Sequence, residues 1–331
     1  MRMGAKTIIT AGAGSDGVNT QTLYGNVTIS APDNMKANFA TEANRSFVVA
    51  ASLHGTGCAC ATSYSATSKA NIYVTGDNSD FTGTWQIGDN ERTKDGYPIM
   101  YISSKANVGG NPAARQEHGL YIYNYGVLSI QESLVLDDEN RVVCLNNGFM
   151  DVPEGKTLTI TSETVWSGNA TKRGAGTLAM GNAKRTSNSK NMDIMAGFFK
   201  PLTVETVGGL QLTFHPGSGY RIDQSPEDAQ LAEFGLLDGN AAAITLADGM
   251  ETLPVTIDFD DGPAKAVIKV PLFSLKAAAA EAIRDRISVV NRQRGQKAEI
   301  VEETVEWPGN GTTYQRFSVL LTKGGMAVYI R

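Results

Sequence analysis

Cysteine and histidine are scarce, with three of each in 331 residues. Three cysteines in so long a chain cannot frame a disulfide-stapled miniprotein. Charge is thin as well: Asp, Glu, Lys and Arg make up 19% of the chain, below the ~25% of ordinary domains. The formal net charge is −5, so neither a nucleic acid nor an anionic membrane surface is the expected partner. No uninterrupted apolar run reaches the ~18 residues of a membrane-spanning helix. P-loop, nucleophile-elbow and zincin fingerprints are absent. Gly12-x-Gly14 lacks the third glycine and the following helix of a dinucleotide fingerprint. The opening Met1-Arg2-Met3-Gly4 and the small polar residues up to Thr22 do not make a signal peptide. They read as entry into the middle of a domain.

Hydrophobic residues, by contrast, reach 41%, and there are 35 glycines. That apolar content supports a sizeable core and excludes disorder. The glycines follow no three-residue period, which excludes collagen. Length alone suggests two or three domains, unless a repeat architecture lets one body run on.

Helical periodicity is nearly missing from the first 200 residues. Short runs recur instead, among them Asn26–Ile29, Ser46–Val49, Thr84–Ile87, Val127–Ile130 and Thr157–Ile160. They are β-branched or aromatic and bounded by Gly, Asn, Asp and Ser, the composition of strands and turns. A sandwich, a barrel and a solenoid all use such runs. The extreme shortness and the Asn- and Gly-rich corners, which tolerate left-handed backbone, favour the solenoid.

Two stretches carry patterned glycine: Gly76 to Ile87, with Phe81 in its middle, and Lys172-Arg-Gly-Ala-Gly-Thr-Leu178 running to Asn182. Together they resemble the autotransporter-associated β-strand repeat of bacterial surface proteins. In that family a Lys-x-Gly-x-Gly-Thr-Leu opening leads into an aromatic half, Gly-x-Asn-x-Tyr-x-Gly-x-Thr. Leu53 to Gly57 resembles a decayed opening, and Asp138–Leu145 and Val152–Ile160 resemble the strands between repeat units. The resemblance covers roughly residues 40 to 185. It implies an all-β parallel β-helix (β-solenoid) of secreted, passenger-like type. The unit at Lys172 does not continue into its aromatic half, and no terminal run of membrane-type strands follows.

On this reading Ile72, Val74, Leu178 and Met180 point into the coil. Gly76, Gly83, Gly174, Gly176 and Gly181 sit at corners or where coils approach closely. A turn of coil is expected to take roughly 20 to 30 residues. Residues 183–200 read as a polar, basic loop between coils. The expected organisation is a solenoid over 1–200, and further coils with a cap over 201–331. Strands are expected near 203–205, 210–214, 243–246, 255–259 and 266–270. Then comes one capping α-helix over 274–294, starting at Ser274. Its apolar stripe is Leu275, Ala279, Ala282, Ile283, Ile287 and Val290; Arg284, Asp285, Arg286, Arg292 and Arg294 face out, and Gly295 stops it. Two strands, 298–307 and 314–322, and a last run over 326–330 complete the chain as a hairpin or final coils.

Candidate chemistry is sparse. His54, His118 and His215 stand far apart in sequence, with no ligand at metal spacing. Cys58 and Cys60 form C-x-C, and Cys144 is alone; the pair is expected to face inward as small buried residues. The acidic runs are Asp137-Asp138-Glu139, with Arg141 nearby, and Asp258, Asp260 and Asp261. β-Helical lyases and glycosidases use paired carboxylates or acidic Ca²⁺ ligands, but solvated turn acids explain these as well. Tyr121, Tyr123 and Tyr125 alternate and so are expected to share a strand face, for core packing or for sugar stacking. Phe198 and Phe199 read as a coil anchor. No catalytic, cofactor-binding or metal residue is assigned, and no cofactor is expected.

The expected function is a non-catalytic structural or adhesive segment of a secreted or cell-surface protein. The alternatives are a carbohydrate-active β-helix enzyme and a phage fibre segment. Expected partners are surface glycans or neighbouring surface proteins.

Overall fold

Short β-branched runs broken by Asn and Gly become short parallel strands in the computed structural model, which describes residues 1–4, 7–11, 20–31, 36–41, 45–91, 93–181, 183–185, 191–202, 211–224, 232–233, 243–259, 267–293, 295–306, 311 and 313–323. Among the described residues the protein is nearly all β, a β-solenoid of parallel sheets with one short α-helix. It divides into two compact units. One is Met1–Leu178 with Arg185–Lys190; the other is Ala179–Lys184 with Asn191–Arg331.

In the first unit each turn of coil contributes one strand to each of two ladders. The first sheet stacks Ile8–Ala11, Ala37–Thr41, Cys58–Ser63, Thr84–Ile87, Gln116–Tyr123, Arg141–Asn146 and Thr164–Trp166, all parallel. The second stacks Thr20–Leu23, Ser46–Val49, Ala70–Val74, Pro98–Ile102, Val127–Ile130, Gly148–Asp151 and Ala170–Arg173. Sequence separations between paired residues run from 35, at Trp85 and Leu120, down to 21, at Val143 and Thr164; most fall inside the expected range and the longest exceeds it.

Period-two alternation sends every other side chain inward. Phe47, Ile72, Met100, Leu128 and Met150 form one buried column in register on the second sheet. Phe39, Ala59, Trp85 and Leu120 line the inner face of the first. A coil cannot bury this surface alone; the next coil covers it. Each fully buried large apolar side chain contributes about 1.5–3 kcal/mol. Corners use the expected residues: Asn124 and Asn147 take φ of 42° and 55°.

The third side is uneven. Arg2–Met3, Asn26–Ile29 and Ser52–His54 pair in parallel, as do Leu134–Leu136 and Thr157–Ile160. Between these groups only a Gly55–Phe81 bridge and a 3-10 turn at Lys105–Asn107 occupy it. Buried side chains replace the ladder there. Asn78 accepts from the Leu53 amide (2.8 Å) and donates to the Asn107 carbonyl (2.6 Å). Asn107 accepts from the Ser103 and Ser104 amides and donates to the Gly76 carbonyl.

The Lys-x-Gly-x-Gly spacing acquires a physical meaning. Lys172 takes the next place in the inward column, paired with Met150, and is fully buried. Its ammonium donates to the carbonyls of Gly174 and Gly176. Gly174 lies at φ +74°, and a side chain at Gly176 would begin 2.1 Å from the Pro153 carbonyl oxygen. Burial pulls the Lys172 pKa down to about 7, against the attraction of Asp151.

The second unit holds strands of two parallel ladders. One is Asn191–Ile194, Gln211–Phe214 and Ala243–Leu246. The other is Gly197–Pro201, Ser218–Asp223, Leu253–Asp258 and Ile287–Val289. Val267–Leu275, Thr313–Lys323 and Gln296–Glu306 then pair antiparallel, with Thr313–Lys323 in the middle. The polar segment 183–200 is not one loop: it contains Ala183–Arg185, Asn191–Ile194 and the start of Gly197–Pro201 as strands. Of the anchor pair, Phe199 is buried and Phe198 half-buried. The expected strand at 203–205 and the run at 326–330 lie outside the described residues.

The expected helix over 274–294 is overturned. Only Ala277–Glu281 is helical, and Lys276, not Ser274, precedes it. Ser274 is buried inside a strand and accepts a long contact from Arg316. Ile287–Val289 pairs with Leu253–Val255. Ala282 and Val290 are exposed, so the stripe does not exist as a face. Pairing of β-branched residues on an available ladder outweighs a helical pattern over this stretch.

Candidate functional site

The acidic cluster at 137–139 is drawn into the frame of the protein. Asp138 and Arg141 are both buried, 3.3 Å apart. Lys105 reaches Asp137 and Asp138 at 2.6 Å each. The Arg141 guanidinium also donates to the carbonyls of Gly83, Gly110 and Gly119. It therefore ties residues from three successive coils. Burial pulls its pKa down, and Asp138 partly restores it.

The tyrosines do not all share a face. Tyr121 and Tyr123 stack on the outer face of the first sheet, ring centroids 5.0 Å apart, and His118 stacks on Tyr121 at 4.7 Å. Asn146 donates to the Tyr121 hydroxyl at 2.9 Å, and the Tyr123 hydroxyl donates to Asn90. Tyr125 lies past the strand end at a corner, with φ 69°, and stacks on Phe149. The corner breaks the alternation from which a shared face was inferred.

The cysteines are buried thiols, but the inward expectation fails. Ala59 and Ala61 alternate with them and share register with Trp85 and Ile87 of the inner face. Cys60 instead shares register with Gln86, and Gln86 with Tyr121, on the outer face. Strand Cys58–Ser63 is buried throughout, on its outer as well as its inner side. The remaining histidines have separate partners: His54 lies 3.6 Å from Asp80, and His215 lies 3.2 Å from Asp193. Asp258 holds Lys200 and Arg221. Asp260 and Asp261 lie outside the described residues.

Two cavities open over the outer face of the first sheet. One, about 140 Å³, is lined by Lys36, Cys58, Thr84, Gln86, His118 and Tyr121 among others. A wider one, about 460 Å³, includes Lys36, Asn38, Thr62, Asp89, Asn90 and Glu91. Lys36 belongs to both, so they form neighbouring parts of one groove. Thr62 donates to Asp89, and Asn124 donates to the Asp89 carbonyl at 2.8 Å, which pins the turn at the groove edge. An aromatic wall beside amides, a hydroxyl, an ammonium and carboxylates suits a ligand with apolar ring faces and many hydroxyls.

Sequence reasoning missed an aromatic cluster on the second sheet. Tyr73 and Tyr101 stack at 4.4 Å, one coil apart. Burial, with Tyr73 and Asp151 nearby, pushes the Tyr101 pKa up to about 12. Tyr97, Phe149 and Tyr125 form a second group beside Arg173 and Lys69. The signal available was coil register: aromatics spaced by one coil period meet on one face.

With this geometry in hand, comparison with known proteins adds one relative. Over 189 residues the chain is 25% identical to the adhesin BmaC autotransporter of Brucella suis biovar 1 (strain 1330). The chain is similar to an autotransporter adhesin. The match covers 53% of this chain but only 5% of the adhesin's length. No family profile and no solved structure matches the chain. Together, the β-solenoid and this similarity fit an autotransporter-like β-helix protein.

Proposed function

We propose that this chain is a stiff, non-catalytic segment of a secreted or cell-surface bacterial protein, and that it holds a surface glycan in the groove over the first sheet. One observation carries the reading. Tyr121, on the wall of the smaller cavity, stacks on Tyr123, with Asn146 and Asn90 fixing their hydroxyls, and Asn90 itself lines the wider cavity. Such rings bring contact area at little entropic cost and keep a polar tip for a sugar hydroxyl. The parallel ladders give the groove a rigid floor, and the adhesin similarity supports surface display. Asp138 and Arg141, the residues nearest to a catalytic pair in sequence, are engaged with backbone carbonyls and Lys105.

The test is a glycan-array screen of the full chain, with a polysaccharide-cleavage assay alongside. Binding to a neutral or weakly charged glycan is expected, falling about tenfold or more in Tyr121→Ala/Tyr123→Ala. Binding indifferent to that change, or no glycan bound at all, rejects the groove. Cleavage abolished by Asp138→Asn in a chain that still folds rejects the non-catalytic role.

A further inference from the structure

We propose that the outer face of the second sheet carries a separate anion site, built around Arg173 and Lys69, that takes the carboxylate or sulfate of an acidic polysaccharide. It stands apart from the groove reading, since Tyr121 and Tyr123 lie on the other sheet.

Arg173 sits over Phe149, its guanidinium carbon 3.6 Å from the ring centroid. The same carbon is 5.9 Å from the Tyr97 centroid, and the Lys69 ammonium is 5.2 Å from it. Two cations thus converge on one ring. Among the described residues neither has a carboxylate within ion-pair distance. Asp151 shares register with Arg173, yet its carboxylate accepts from the Ser129 hydroxyl at 3.0 Å. Stacking holds a guanidinium plane in place while its N–H edge stays available. That edge matches two oxygens of one planar oxyanion.

The neighbouring aromatics point to a sugar as the bearer of the anion. Tyr125 stacks on Phe149 from a corner where a bulky residue holds φ at 69°. Backbone in that region is costly for a large side chain and persists where surroundings impose it. Here it sets a half-buried phenol against Phe149, the ring that Arg173 covers. A nucleic acid or an anionic bilayer would call for a broad basic field, whereas this chain is acidic overall and the patch has two cations. One oxyanion on a ring that rests against phenols fits the patch.

The experiment uses the full chain with oligogalacturonate and a heparin oligosaccharide, a carboxylate and a sulfate source. Neutral dextran, phosphatidylglycerol vesicles and a poly-glutamate peptide are run beside them at low salt. Binding of at least one acidic glycan is expected, weakening with salt. Arg173→Ala should reduce affinity about tenfold or more, as loss of hydrogen bonds to a charged group does. Arg173→Lys should recover only part of it, and Lys69→Ala should cost less. Melting temperature monitors folding, and binding at the first-sheet groove should be unchanged in all three. Failure of both acidic glycans to bind overturns the proposal. So does binding that survives Arg173→Ala. Vesicles or poly-glutamate bound through Arg173 while the glycans are not would replace the polysaccharide with another partner.

Discussion

Within the first unit, the coils between Gly55 and Leu134 and those after Leu134 close their third side by different means. The later coils are short, 21 to 24 residues between paired positions, and pair Leu134–Leu136 with Thr157–Ile160 as a backbone ladder. The earlier ones are longer, and around Asn78, Lys105–Asn107 and Arg141 the ladder gives way to buried side chains. Buried backbone groups need partners whichever way the chain runs. Where extra residues in a coil break the strand, asparagine amides and a guanidinium supply them. Stability in the later coils should therefore be distributed, and in the earlier coils concentrated in a few residues.

The largest break in that contrast is Arg141→Met. It strands three carbonyls and leaves buried Asp138 with Lys105 alone. Removing one partner of a buried pair costs about 3–5 kcal/mol, which urea unfolding will read. Next is Asn107→Ala, which orphans the Ser103 and Ser104 amides and the Gly76 carbonyl. Of these only the Gly76 carbonyl is buried outright, and leaving it unpartnered costs about 1–3 kcal/mol. Thr159→Ala, half-buried on the regular strand of the later coils, is the control and should stay within about 0.5 kcal/mol.

A subtler test uses pH at Lys172. Its pKa in the folded chain is about 7, below the ordinary 10.5. Between these values the unfolded chain holds the proton and the folded chain does not. Stability should then rise with pH from about 7 to 10.5, by at most about 1.4 kcal/mol per pH unit, and be flat below. Lys172→Met keeps the apolar column and should remove that rise, as melting curves at pH 6 and pH 9 will show. Tyr73→Ala loses the stack on Tyr101, which costs about 0.5–1.5 kcal/mol beyond the area lost.

Much of the frame was readable from residues. Ile72, Val74, Leu178 and Met180 are buried as their alternation requires. The corner asparagines adopt left-handed backbone, as at Asn124. The helix was misread because Ile283 and Ile287 fit two periods, and the Leu253–Asp258 ladder that captures Ile287 is remote in sequence. The groove was readable only in part. Tyr121 and Tyr123 were visible as a pair, but Lys36, Asp89 and Asn90 join them through coil stacking. Lys172 stood out as a motif lysine, with no hint that it turns inward.

Local alternation and corner residues by themselves determined that this chain makes short strands with one greasy side. They do so because strand period and left-handed backbone are properties of neighbours in sequence. Which strands lie one above another was settled only in three dimensions, by the number of residues each coil spends between corners. That count places Arg173 over Phe149 and Tyr97, and Cys60 beneath Gln86 on an outward face. Register across a coil depends on where all the loops in between bulge, and no local pattern encodes their sum.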